Sequence, residues 1–303
     1  LQRSWEIRKG DTWDAHARTL SLERWRAGGL WRIQMCNTPG MEHITTNDHT
    51  FSYRLQGSGP VALFVHGFPL DSAMWLDQIA DLSDIRRCVA PDLRGFGGSI
   101  PTTESDLSME GHADDLHALL DALWIETVDL VGFSMGGYIA LAFAERHPGR
   151  LRSLALVDTK SAPDSEVGKE GRDAAAARVT ADGRSALASD LIGVLLDESA
   201  SLWTRARFRT MVEATPTETI VAALKGMRDR PDRTAVLEKL SVPVAVIVGE
   251  NDVPTPVSEA DQMARTAGGR LTVIPHAGHI APIEQPSMVA DALRSLWSED
   301  PSG

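Results

Sequence analysis

A chain of 303 residues, 43% hydrophobic and 24% charged, can bury one large core or two ordinary ones, which excludes disordered and fibrous classes. Its net charge of −12 repels phosphate backbones and anionic lipid, so neither nucleic acid nor a membrane surface is expected as a partner. Two cysteines, Cys36 and Cys88, are too few for a disulfide framework and fit a cytoplasmic location, and no run approaches the roughly 18 apolar residues of a membrane span.

Residues 1–40 hold Trp5, Trp13, Trp25 and Trp31, half of the eight tryptophans, without a helical or strand period. They read as a leader foreign to the rest, of vector or read-through origin, with the domain starting near Met41. From there, short runs rich in Val, Leu and Ile alternate with helical patterns, the mark of an α/β fold with a mostly parallel sheet and helices on both faces. Strands are expected over 51–55, 61–65, 87–90, 128–131, 153–157, 244–248 and 271–274, and helices over 72–81, 110–123, 135–145, 256–267 and 287–297. Between Asp158 and Val242 the pattern is helical throughout, with amphipathic stretches at 174–179, 185–196, 201–213 and 218–227. A strandless segment of that length reads as an all-helical cap over 160–239, dividing the core into 41–159 and 240–303.

One turn stands out. The strand-like Val128-Asp129-Leu130-Val131 runs into Gly132-Phe133-Ser134-Met135-Gly136, followed by the helical Gly137-Tyr138-Ile139-Ala140. A serine on a sharp strand-to-helix turn sits in strained backbone, so the positions two before and two after it must be nearly free of side chain. Gly132 and Gly136 meet that demand. Serine is a weak nucleophile at neutral pH; a histidine must take its proton and a carboxylate must fix the tautomer of that histidine.

With these motifs the chain resembles the α/β-hydrolase superfamily from Met41 to about Trp297. His66-Gly67-Phe68-Pro69, ending a strand, is similar to the family's oxyanion segment; the resemblance makes the backbone N–H groups of Phe68 and Met135 the oxyanion hole and His66 a structural residue that holds the loop. Among nine histidines, His279 in Ala277-Gly278-His279-Ile280 matches the family's base, with His276 its rival. Gly249-Glu250-Asn251-Asp252-Val253-Pro254 is similar to the turn carrying the acid, which points to Asp252, while in some members the acid sits where Asp158 stands. The order Ser134, Asp252, His279 is that of these folds. Pro91-Asp92-Leu93-Arg94-Gly95 also resembles a family segment, in which Asp92 and Arg94 bind loops rather than react.

The reading is therefore a serine hydrolase acting on carboxylic esters of small to medium acyl groups through an acyl-enzyme. Phe133 and Met135 flank Ser134 as pocket neighbours, with Phe133 taken as substrate-binding, and Trp203, Phe208 and Met227 are further candidates for the wall. A small-molecule ester is the expected partner. Enol-lactonase and perhydrolase or haloperoxidase-like activity remain alternatives, as does a non-catalytic ligand-binding protein of this fold. A serine at position 134 argues against dehalogenase and epoxide hydrolase chemistry, where the resembling position carries aspartate. No cofactor or metal is implied: there is no H-E-x-x-H, and His112 and His117 are not at the i, i+4 spacing that shares a helix face. Oligomeric state is not legible.

Overall fold

The computed structural model describes residues 20–23, 32–35, 40–46, 49–99 and 107–298, in two units divided between Thr38 and Pro39. In the first, β1 (Leu20–Glu23) pairs antiparallel with β2 (Arg32–Met35), Leu20 opposite Met35. Four residues are too few for a two-residue period to stand out, so the sequence shows no strand there. The four tryptophans of the expected leader, and Cys36, lie outside the described residues.

The second unit opens with β3 (Gly40–Thr45) and β4 (Thr50–Gln56), paired antiparallel. Strands and helices then alternate: β5 (Val61–Val65), a 3-10 turn at Ser72–Trp75 leading into α1 (Leu76–Leu82), β6 (Arg87–Pro91), α2 (Met109–Ala122), β7 (Val128–Phe133), α3 (Met135–Arg146) and β8 (Leu151–Val157). Five helices follow without a strand: α4 (Glu166–Asp182), α5 (Arg184–Leu195), α6 (Leu202–Ala214), α7 (Thr217–Arg228) and the single turn α8 (Thr234–Leu237). The chain ends with β9 (Val244–Gly249), α9 (Val257–Ala267), β10 (Arg270–Ile274), α10 (Ala281–Glu284) and α11 (Pro286–Ser298). The strands form one sheet in the order β10-β9-β8-β7-β5-β6-β4-β3, parallel from β10 through β6 and antiparallel at β4 and β3.

Alternation along single strands explains the layering. Val61, Leu63 and Val65 of β5 and Val244, Val246 and Val248 of β9 enter one core; Ala62 and Phe64, and Ala245 and Ile247, enter a second core on the opposite face. Each fully buried Val, Leu or Phe contributes roughly 1.5–3 kcal/mol, so a central strand is stabilised from both sides. Every strand expected from the sequence is present. The structure adds β3, a polar edge strand whose residues are mostly exposed and which therefore lacks an apolar run to betray it. It also starts α4 at Glu166, well before the stretch expected at 174, because its first turns are charged and glycine-containing and only Val179 is buried.

The helical insertion α4–α8 meets the loops that leave the carboxyl ends of the strands. Thr215 Oγ1 donates to Pro69 O (2.9 Å) after β5, Thr219 Oγ1 to Gly95 O (3.0 Å) after β6, and Leu195 O accepts from His279 N (2.7 Å) after β10. Its buried side chains divide between the two cores, Ile220, Leu224 and Met227 joining one and Phe208, Met211 and Val212 the other. The insertion thus straddles that edge of the sheet, as expected for loops that build a site in an open α/β fold. No helix among the described residues is long and apolar enough to cross a membrane.

Candidate active site

Ser134 stands between β7 and α3 with φ +51° and ψ −113°, a strained conformation for a residue with a side chain. The turn is this tight because neither flanking glycine could carry a Cβ. At Gly132 it would stand 2.4 Å from Gly136 O, and at Gly136 it would stand 2.3 Å from Val65 O and 2.7 Å from His66 O. Since those neighbours are backbone, no rotamer change could make room. Thr159 Oγ1 donates to Ser134 O (2.7 Å), tying the turn to the chain that follows β8.

Ser134 Oγ lies 2.8 Å from His279 Nε2, and His279 Nδ1 lies 2.9 Å from Asp252 Oδ2. An ionised carboxylate only accepts, so Asp252 fixes the proton on Nδ1 and leaves the Nε2 lone pair facing the serine hydroxyl. Asp252 is itself held: Thr255 N–H donates to Oδ1 (2.9 Å) and the Thr255 hydroxyl to Oδ2 (2.5 Å). His279 and Asp252 are both buried, while the Ser134 side chain is partly open. The rival His276 is exposed, away from this line, with φ +55°.

Asp158, the other expected acid, ends β8 fully buried, yet both of its oxygens face backbone: Oδ1 accepts from Gly249 N (2.7 Å) and Oδ2 from Ala281 N (3.2 Å). It joins the strand before the Asp252 turn to the residues after His279. Burial, and next the charge of Asp252, push its pKa well above the ordinary carboxylate value. Neither Asp158 nor Thr255 carries a motif of its own; a threonine three residues after the acid is visible only once the turn is folded.

The loop after β5 brings Phe68 beside this turn, because β5 and β7 are neighbours with Val65 opposite Gly132. Met135 is the first residue of α3, a position whose N–H has no intrahelical acceptor. His66 is the loop anchor expected of it: Nε2 accepts from Leu93 N (2.9 Å), so Nδ1–H donates to Gly67 O (3.0 Å), and burial lowers its pKa, favouring the neutral ring. Asp92 accepts from Ser72 N and Gly98 N (both 2.8 Å) and so ties segments after neighbouring strands together as expected, whereas Arg94 pairs with Asp115 of helix α2 rather than with a loop.

The pocket neighbours differ more. Phe133 is fully buried, its ring 5.5 Å from the His279 imidazole and 6.4 Å from Trp75, so it packs between those two rings rather than facing an open pocket. Trp203 is 76% exposed and does not wall a pocket, whereas Phe208 and Met227 belong to the two cores. Tryptophan at helical spacing carries no sign of which way its face turns.

Solved and curated proteins share this architecture. An esterase from Thermogutta terrifontis superposes with a TM-score of 0.81 at 39% identity, over 86% of this chain and 98% of that one. The 2-hydroxymuconate semialdehyde hydrolase of Pseudomonas sp. (strain CF600) is 30% identical over 272 residues, 84% of this chain and 91% of the relative. The enol-lactonase from Burkholderia xenovorans LB400, at 24% identity and a TM-score of 0.77 over 85% of this chain and all of that one, shares the fold. With the alpha/beta hydrolase fold model matching residues 60–286, which take in β5 to β10, the insertion, and Ser134, Asp252 and His279, the chain belongs to the alpha/beta hydrolase fold family.

Proposed function

We propose that the protein is a serine hydrolase cleaving carboxylic esters of small to medium acyl groups, with Ser134 as nucleophile, His279 as base and Asp252 as the acid that orients it. The observation that carries this reading is the unbroken line from Ser134 Oγ through His279 to Asp252, with contacts of 2.8 and 2.9 Å. As Ser134 Oγ attacks the acyl carbon, its proton passes to His279 Nε2 and the carbonyl electron pair moves onto oxygen. Collapse of the tetrahedral intermediate expels the alcohol, which takes that proton and leaves an acyl-serine; water then enters by the same route and frees the acid. The N–H groups of Phe68 and Met135 are assigned to the oxygen that carries the charge, a role worth about 2.7–4 kcal/mol per donor in a dry site. The insertion, lying over the same sheet edge, is assigned the choice of acyl group.

Hydrolysis of p-nitrophenyl acetate, butyrate and octanoate by the wild type and by Ser134→Ala tests the reading. The wild type turns over at least one ester, and the variant loses more than about a thousandfold in kcat with an unchanged melting temperature. A Ser134→Ala protein within about tenfold of wild type would remove the nucleophile assignment. Activity confined to lactones would move the substrate class while leaving the relay in place.

A further inference from the structure

His279 is held by its backbone as firmly as by its ring. Four consecutive amides around it all have acceptors: Gly278 N–H donates to Glu284 Oε2 (3.0 Å), His279 N–H to Leu195 O (2.7 Å), Ile280 N–H to Glu284 Oε2 (3.2 Å) and Ala281 N–H to Asp158 Oδ2 (3.2 Å). The second oxygen of Glu284 leaves this loop altogether and accepts from Asp197 N (2.6 Å), at the turn that closes α5 in the insertion. There the two segments touch backbone to backbone: a Cβ on Gly278 would stand 2.7 Å from both Asp197 N and Leu195 O.

We infer that Glu284 is a positioning residue that clamps the His279 loop to the 195–197 turn of the insertion, so that base and insertion are held as one body; the inference rests on the serine-hydrolase reading. A carboxylate suits the place because its two oxygens accept several N–H donors at once. A carboxamide of the same shape has one acceptor oxygen and must turn its NH2 toward either the 278–280 amides or the Asp197 amide. Burial pushes the Glu284 pKa up, and the hydrogen bonds from the Asp197, Gly278 and Ile280 amides oppose that by favouring the ionised, accepting form. Without the clamp the base drifts relative to Ser134 Oγ, while the groups proposed to hold substrate keep their places.

Glu284→Gln tests this through kcat and KM on p-nitrophenyl butyrate, together with amide hydrogen exchange. The expected result is a fall in kcat of about ten- to a hundredfold with KM within about twofold. Exchange should accelerate by about tenfold or more in both 195–198 and 277–281, with the amides of β9 unchanged. Wild-type kcat, or unchanged exchange in either segment, overturns the clamp; exchange raised throughout the sheet makes Glu284 a general stability residue and overturns it too. Wild-type exchange is a second check that needs no variant, because residues 278–280 must be protected to the level of β9, and rapid exchange there refutes the clamp. A wild type that hydrolyses neither esters nor lactones refutes the serine-hydrolase reading instead, and the exchange measurements still decide whether Glu284 joins the two segments.

Discussion

Asp252→Asn keeps the size of the side chain and changes what it can hold. The carboxylate takes donors from Thr255 N–H at Oδ1 and from the Thr255 hydroxyl and His279 Nδ1 at Oδ2. Asparagine retains one acceptor oxygen. The Thr255 amide is fixed in the backbone and can only donate, so the amide oxygen is drawn to it and the new NH2 faces His279. The imidazole must then accept at Nδ1 and carry its proton on Nε2, which faces Ser134 Oγ at 2.8 Å. A base in that tautomer cannot take the serine proton, and turnover should fall by about four orders of magnitude, or about 5.4 kcal/mol of transition-state stabilisation. The measurement is kcat on p-nitrophenyl butyrate beside the melting temperature, which should move little because the Thr255 amide stays paired. A variant within about tenfold of wild type would refute the tautomer argument and free the acid role for another group.

Asp158→Asn should show the opposite profile: one of its two buried backbone amides, Gly249 or Ala281, loses its acceptor, costing about 1–3 kcal/mol of stability in urea unfolding, while kcat falls far less than for Asp252→Asn. The reverse ranking would move the acid to the end of β8. At the base of the insertion, Asp164 lies against Arg230 (2.9 Å) and Arg172 (3.0 Å); burial raises its pKa, but the Arg230 hydrogen bond and the two guanidinium charges outweigh that and hold it down to about 2. A carboxylate depressed in the folded state stabilises above its unfolded value of about 3.9 and loses that contribution as pH falls toward the folded value. Wild type should therefore exceed Asp164→Asn in melting temperature by a constant margin above about pH 5, narrowing steadily at lower pH; a margin independent of pH would show that Asp164 acts through shape alone.

Much of the molecule was legible because its signals are local. A strand buried on both faces must be an apolar run, and each expected strand from β4 onward lies within a few residues of its place. The Ser134 turn was legible for a steric reason: Gly132 and Gly136 are required by atoms of the turn itself and of the adjacent β5, and no other residue type fits. Polar elements left no such trace, so β3 and the first turns of α4 went unread.

What the sequence by itself determined is the alternation of strands and helices, the strained serine turn and the candidates for base and acid. The turn Gly249–Pro254 pointed to Asp252 ahead of Asp158, although both are aspartates after buried strands; only the structure shows that the Asp252 carboxylate meets the His279 ring while Asp158 spends its oxygens on backbone amides. The supports from Thr255, Thr159 and Glu284 were likewise decided only in three dimensions, as were the exposure of Trp203 and the burial of Phe133 between the His279 and Trp75 rings. A hydrogen bond between residues more than a hundred positions apart, such as His279 to Ser134, depends on loop ends that the sheet brings to one edge. Residue type and local spacing carry no record of that distance, and only the packed tertiary structure sets it.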